Sequence, residues 1–462
     1  MSIASEIQRL QTAKEDIREA LDGIGISIPS SAKIDEYAQY INRYIYTRQE
    51  LTFKIISAGT IYWKASDAAY AATIQYSKDS GSTWTSITAT TGGTSISVNS
   101  GDVVQFRGNN ATYYSDYNYN SFSDSTAKFE VEGNIMSLIN SSGFITSTTL
   151  ASSYTFYRLF FYCTGLTSAE NLILPATTLA DYCYSWMFLR CTSLTTAPSL
   201  PATSLANHCY YCMFRDCTSL TTAPELQATT LVQSCYDSMF RGCTGLTGGV
   251  TSIGNSATTI PSSACSNMFS GCTSLTQAPE LPATTLANWC YYGMFAECTS
   301  LTTTPELPAT TLADYCYEYM FAGCTSLTQA PELPATTLAY YCYGGMFDGC
   351  TSLITAPELQ ATTLATSCYA SMFYGCTSLV TAPVLPATTL TDSCYSYMFE
   401  NCTSLNYIKC LATDISASDC TYYWVDSVAS SGTFVKNPNI SENTWGRGIN
   451  AIPTNWTVQD AS

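Results

Sequence analysis

LPATTLADYCYEYMFAGCTSLTQAPE, residues 307–332, decides the fold, because the chain says it again and again. From about position 155 to 420 the pattern L-P-A-T-T-L-A-x-x-C-Y-x-x-M-F-x-x-C-T-S-L-T-x-A-P-E recurs with a period of 26 residues. One copy is too short to bury an apolar face alone, so neighbours must stack, and self-similarity at such a period marks a solenoid. Two cysteine series keep the register. Cys183, Cys209 and Cys235 are followed, after a break, by Cys290, Cys316, Cys342, Cys368, Cys394 and Cys420. Cys191, Cys217 and Cys243 are followed by Cys272, Cys298, Cys324, Cys350, Cys376 and Cys402. In the one irregular copy, Thr247 to Asn255 lengthens the unit by three, and Cys265 and Cys272 lie one residue closer than usual. A local bulge or kink is expected there.

Within a repeat, a helix over Leu179 to Cys191 at about 100° per residue gathers Leu179, Cys183, Tyr184, Met187, Phe188 and Cys191 on one arc. Those positions barely change between copies. The opposite arc varies: Asp181, Tyr182, Ser185, Trp186 and Leu189 become Asn207, His208, Tyr211, Cys212 and Arg215 one copy later. Sameness is therefore predicted inside and variation outside. Leu194 to Pro198 reads as a short strand pairing in parallel with its counterparts, Pro198 ending it for want of an N–H. Aromatic side chains with polar neighbours suit recognition of carbohydrate or protein. The candidate contacts on the variable arc are Tyr182, Trp186, His208, Tyr211, Trp289, Tyr292, Tyr315, Tyr319, Tyr340, Tyr341 and Tyr397.

Composition removes several function classes. Lys and Arg total 18 against 35 Asp and Glu, which argues against nucleic acid, whose phosphates require basic partners, and against an anionic membrane surface. No run approaches the roughly 18 apolar residues of a membrane span, so no membrane insertion is expected. Met1 to Glu6 lacks the basic-then-apolar pattern of a signal peptide, and synthesis in a cytoplasm without general secretion follows as an expectation. All 22 cysteines fall between 163 and 420. An even count allows bridges, but cysteines repeating at one solenoid position form ladders of small buried hydrophobes. Zinc is disfavoured by a single histidine and an unrepeated Cys209-x-x-Cys212. No Ser/His/Asp constellation can be built around His208 alone. The carboxylates recur singly as Glu225, Glu280, Glu306, Glu332 and Glu358; their row could be a line of calcium sites, but solvated side chains tolerate that spacing. No catalytic residue, metal or cofactor is expected.

At 462 residues the chain has room for two or three domains. Residues 1–48 read as a helical docking or oligomerisation segment. Ile3, Ile7, Leu10, Ile17, Leu21 and Ile24 keep a heptad spacing broken at Lys14, and Ile34, Tyr37, Ala38, Ile41 and Ile45 form a second stripe. Residues 51–147 alternate as β-branched and aromatic strands of a small β-sandwich, with Leu51 to Ile56, Thr60 to Ala65, Ala72 to Tyr76, Ser95 to Val98, Val103 to Arg107 and Phe129 to Val131 as its members. Ser77 to Trp84 matches the S-x-D-x-G-x-T-W Asp-box, a hairpin-turn device. Asn109 to Asn120 reads as a Tyr/Asn-rich loop, open to glycan contact or to an ordinary crossover role. The solenoid occupies 155–420, and 421–462, with Phe434, Trp445, Ile452, Pro453 and Trp456, reads as a C-terminal cap. The fold class is α+β: a leucine-rich-repeat-like solenoid of 26-residue units behind a small β-sandwich and a helical start.

The M-F-x-x-C-T-S-L-T core resembles the A-F-x-x-C-x-x-L-x-x-I repeats of BspA-type leucine-rich repeat proteins, a family of surface adhesins. It departs in its longer unit and in Ala-Pro-Glu where strand aliphatics are expected. Ile3 to Leu21 followed by Ile28-Pro29-Ser30-Ser31-Ala32-Lys33-Ile34-Asp35-Glu36-Tyr37 looks like the N-terminal segment of tail-associated structural proteins of tailed phages infecting gut bacteria. The order of parts looks like theirs too, including Gly101 to Asn109 and Gly432-Thr433-Phe434-Val435-Lys436. That resemblance implies a virion tail or tail-fibre adhesin, assembled in the host cytoplasm, binding host surface glycan or protein. It implies other tail proteins as partners through Ile3, Ile7, Leu10, Ile17 and Leu21, with a homo-oligomer, a trimer by analogy, as a further expectation. A bacterial cell-surface adhesin, a purely structural tail protein and a capsule depolymerase are the alternatives.

Overall fold

The structure, a computed structural model, describes residues 3–110, 118–254 and 257–462, without the side chains of 3–6. Positions 111–117 of the Tyr/Asn-rich loop, the side chain of Ile3 and part of the irregular copy thus lie outside the described residues. The chain opens with α1 (Ile3–Gly23) and α2 (Tyr37–Thr47). Ile26, Ile28, Ala32 and Tyr37 make a small core of their own, with Leu21, Tyr40, Ile41 and Tyr44 packed against it.

Strands β1 (Leu51–Ser57), β2 (Gly59–Ala65), β3 (Thr73–Ser77), β4 (Thr85–Thr88), β5 (Thr94–Val98), β6 (Val103–Arg107), β7 (Asn120–Ser121) and β8 (Lys128–Asn134) follow. β4 and β7, which the apolar alternation does not mark, join the six strands expected from it. One sheet has the order β4-β3-β6-β1-β8, extended beyond β8 by a strand of the first repeat, and the other β5-β2-β7. Buried rings from both sheets meet: Phe53, Trp63, Phe106, Phe122 and Phe129 pack within 5 Å of one another in a connected set. The Asp-box behaves as a turn device. Asp79 accepts from the Thr83 N–H at 2.8 Å and from its hydroxyl at 2.6 Å, Ser77 Oγ accepts from the Gly81 N–H at 2.9 Å, and Trp84 donates to the Gly81 carbonyl at 3.0 Å.

β9 (Leu166–Ile173) belongs to the first repeat yet pairs in parallel with β8. The repeat stack therefore grows from an edge of the first sheet, and one hydrophobic cluster runs from Leu51 to Trp456. Successive copies bond in register. Single parallel bridges join Ser168 to Thr196, Thr196 to Thr222 and Thr222 to Gly248, and later Gln329 to Thr355, Thr381 and Tyr407 in turn. The predicted strand Leu194 to Pro198 contracts to these single bridges, because Ala-Pro leaves little donor capacity beyond the threonine pair. A two-residue parallel pair, β10 (Thr259–Ile260) with β11 (Thr285–Leu286), joins copies at the T-T-L segment instead.

The helix expected over Leu179 to Cys191 is absent. This stretch is a ribbon of linked turns. Cys183, Ser185, Met187, Leu189 and Cys191 donate their N–H groups three residues back, while Tyr182, Trp186, Phe188 and Arg190 donate to Asn207, Tyr211, Met213 and Arg215 of the next copy. Every fourth residue takes a positive φ, as at Tyr182, Trp186 and Arg190 or Tyr315, Tyr319 and Gly323. Backbone donors that an α-helix would consume internally thus tie neighbouring copies together. Glycine, the residue best suited to that conformation, stands at the last such position in Gly242, Gly271, Gly323, Gly349 and Gly375.

Inside, two aromatic ladders run along the stack. Phe160, Phe188, Phe214, Phe240, Phe269, Phe295, Phe321, Phe347, Phe373 and Phe399 follow one another with neighbouring ring centroids 5.3–5.8 Å apart. The tyrosine ladder is interrupted once. In the irregular copy Ala264 takes the place of the first cysteine and Cys265 that of the tyrosine, as shown by Tyr236 donating to the Ala264 carbonyl and Cys265 to the Cys290 carbonyl. This shift explains the shorter cysteine spacing. By register, one extra residue enters between Gly248 and Ser252, where Gly249 takes a positive φ, and two more enter before Thr258, while the phenylalanine ladder passes without a break.

All 22 cysteines are free and buried. Those of the second series donate across the stack to a phenylalanine carbonyl of the preceding copy, as Cys350 does to Phe321 at 3.1 Å and Cys217 to Phe188 at 3.0 Å. At the far end β12 (Tyr407–Cys410), β13 (Thr433–Lys436) and β14 (Thr457–Asp460) form a parallel sheet, with α3 (Glu442–Trp445) beside it. Trp424 meets the last tyrosine and phenylalanine of both ladders and is itself covered by Phe434 and Trp445. Ile452 and Trp456 are buried there as well.

Candidate functional site

The turn ribbons of all copies lie side by side and make one outer face. Eight of the eleven candidate contacts, Tyr182, Trp186, His208, Trp289, Tyr315, Tyr319, Tyr341 and Tyr397, occupy its positive-φ positions. A bulky residue in that conformation is held at a cost of about 1–3 kcal/mol, offset here by the bond each N–H makes to the next copy, such as Tyr315 to the Tyr340 carbonyl at 2.9 Å and Tyr319 to that of Gly344 at 2.8 Å. Side chains at one position of successive copies then stack.

The face divides into three aromatic patches. In the first, Tyr154, Tyr182 and His208 stack at 4.6 Å per step, Tyr211 meets His208 edge-on, and the Arg158 guanidinium lies 3.8 Å over Trp186. Burial holds the His208 imidazole below its usual range, opposed by Asp181. In the second, Trp289, Tyr315 and Tyr341 stack at 5.1 and 5.7 Å, Tyr340 stands perpendicular to Tyr341, and Tyr292 is edge-on to Tyr319. In the third, Tyr397 meets Tyr422 edge-on at 5.4 Å and lies 6.0 Å from Tyr423. Small residues at the stacking position, Ser234 and Ser263 on one side and Ser367 and Ser393 on the other, separate the patches. Trp289, Tyr319, Tyr340 and Tyr397 are exposed, and the other seven candidates are half-buried.

Several residues of this face escape a reading based on aromatic content alone. Tyr154, Arg158, Tyr422 and Tyr423 extend the first and third patches. Four carboxyls are raised by burial: Asp237 to about 6, Glu318 to about 7, Asp348 to about 6, and Glu400 upward as well. Their signal was present in the register: the position of Glu318 carries Ser185, Tyr211, Asp237, Ser266, Tyr292, Gly344 and Ala370 in other copies, so Glu318 is its lone glutamate.

The glutamate row Glu225, Glu280, Glu306, Glu332 and Glu358 lies elsewhere and is exposed throughout. Open depressions of the surface run along it, between segments such as Pro305–Glu306 and Pro331–Glu332. On α1, Ile7, Leu10 and Ile17 are 51, 58 and 43% exposed, whereas Leu21 packs against the small helical core. Among the described residues no helix is long and apolar enough to cross a membrane.

The model of the BspA type leucine-rich repeat region matches in six copies, over residues 145–276, 251–343 and 318–431. More than half the chain is covered, and the chain belongs to the BspA type leucine-rich repeat family. Repeats of this family point to adhesion and surface binding in general. No curated protein and no solved structure matches the chain.

Proposed function

We propose that the chain is a virion tail or tail-fibre adhesin of a tailed phage: a solenoid of stacked repeats on a β-sandwich, displayed to a host cell surface. The observation that carries this reading is the division within every repeat between a fixed interior and a variable outer face whose aromatic side chains gather into three patches. Host surface glycan or protein is the partner of that face, and the chain acts by binding, without catalysis. The exposed apolar row Ile7, Leu10 and Ile17 on α1 supplies the contact with other tail proteins or with further copies of the chain. The family match equally supports a second carrier, a bacterial cell surface.

Detection of the chain in purified virions and in the host envelope separates the two carriers. Recovery with virions, together with saturable binding of the full chain to host cells that blocks phage adsorption, is the expected result. Recovery with the envelope alone would move the adhesin to the bacterium. Presence in virions without cell binding would make it a structural tail protein.

A further inference from the structure

The heptad of α1 reads as broken at Lys14, yet Lys14 does not lie on the row that the helix leaves open. Lys14, Glu15, Arg18 and Leu21 are half-buried on the flank turned towards the small helical core, where Tyr37 Oη donates to the Lys14 carbonyl at 3.3 Å and Leu21 packs. About a third of a turn round the helix, Leu10, Ala13, Ile17, Ala20 and Ile24 are all exposed. They keep an unbroken 3-4 spacing, that of a seam between two helices. No charge stands among them, and large and small side chains alternate. Ile7, exposed as well, borders the row on the Lys14 side.

Spacing, shape and charge together name the partner. The spacing takes another helix. Leu10, Ile17 and Ile24 occupy a positions and Ala13 and Ala20 d positions, so an antiparallel copy of the same helix sets large against small at its centre. A two-fold axis between Gln11 and Thr12 lays Leu10 of each copy over Ala13 of the other, with Ile7 along the aliphatic stem of Lys14. Ala20 then comes level with Ile3, and Ile17 with Glu6, near the helix start. The flanking charges fix the direction. Arg9 and Asp16 stand at successive g positions on one side of the row, and the same axis brings Arg9 of each helix beside Asp16 of the other. A parallel pair would set Arg9 against Lys14 instead. The antiparallel contact is isologous, so it closes at two copies.

We propose that α1 pairs antiparallel with α1 of a second copy, joining two solenoids into one bivalent unit. This rests on the reading of α1 as the docking element and names its partner. Two solenoids on one joint gain avidity for a host surface. Sedimentation equilibrium of the full chain across the micromolar range is the test. The parent is expected to reach about twice 50.1 kDa, and the Leu10→Ser/Ile17→Ser variant to stay at 50.1 kDa with the melting of its solenoid unchanged. Arg9→Asp should weaken pairing tenfold or more, and adding Asp16→Arg should restore it to within threefold. The proposal is overturned by a parent that stays monomeric, by a mass near three times 50.1 kDa, by pairing that the serine variant keeps, or by a double reversal that pairs no better than the single one. A monomeric parent that still adheres to host cells leaves the adhesin reading standing, whereas a paired parent that does not adhere defeats that reading alone.

Discussion

Gly249 has no room for a side chain. Its φ is +125°, and a Cβ would fall 2.2 Å from the Ala223 carbonyl oxygen of the preceding copy. Gly375 also has a positive φ, +67°, but its Cβ would meet nothing closer than 3.8 Å. Gly375→Ala should therefore cost only the conformational term of about 1–2 kcal/mol, while Gly249→Ala adds a backbone clash and should lower the melting temperature clearly more. Equal melting shifts for the two would contradict the close approach of Gly249 to the Ala223 carbonyl. The buried carboxyls give a second test. Asp237, Glu318 and Asp348 hold their protons to about 6, 7 and 6 in the fold, whereas in the unfolded chain they ionise near pH 4. The folded state binds more protons across this window, so stability falls as pH rises from about 4 through 7. Asp79 works in the opposite sense at lower pH: its bonds to Thr83 and Ser77 hold it down at about 2, and its contribution is lost as pH falls towards that value. Denaturant melts at pH 4.5 and 7.5 should show the decline, and Glu318→Gln should flatten its upper part. A parent protein whose stability is level across that interval would refute the assignment of these carboxyls.

The repeat unit shows what apolar spacing can and cannot reveal. Cys183, Tyr184, Met187, Phe188 and Cys191 were legible as interior positions, and all five are buried. The element that holds them is not the helix this spacing predicts, because a turn ribbon whose positive φ recurs at every fourth residue brings side chains inward at nearly the same interval as a helix of 3.6 residues per turn. What distinguished the two was the recurrent glycine before the second cysteine, at Gly242, Gly271, Gly323, Gly349 and Gly375. Glycine costs about 1 kcal/mol inside a helix, yet it suits a left-handed turn. Far-UV circular dichroism checks this directly. α1, α2 and α3 together hold under a tenth of the chain, so a weak helical signal is expected, and a signal near one third of residues would restore a helix in each copy. At the same scale, the β-branched strands of residues 51–147 were read from alternation, whereas Thr85–Thr88 and Asn120–Ser121 were not, being short and polar with no apolar alternation to betray them.

Across the whole molecule, the 26-residue period and the two cysteine series announced a stack, and the described geometry follows that register from Thr149 to the Trp424 end. The tail was legible from its tryptophans, which cover the open ladders. Less legible was the division of the variable aromatics into three patches. That division depends on which side chains become neighbours across copies, and so on small residues such as Ser234, Ser263 and Gly344 as much as on the aromatics. The charge layout follows the same axis: Arg158, Arg190, Arg215 and Arg241 lie in the early copies, and no basic residue follows until Lys409. The central claim, that the outer face carries binding, is tested by adhesion of the full chain to host cells, compared among four variants. Three replace the outer-face aromatics of one patch each with serine, a residue other copies carry there, and the fourth changes Glu306, Glu332 and Glu358 to glutamine. The account predicts that at least one patch variant loses binding tenfold or more while the glutamine variant stays within twofold of the parent. Full binding by all three patch variants, with loss in the glutamine variant, would place recognition on the Pro-Glu edge and contradict it.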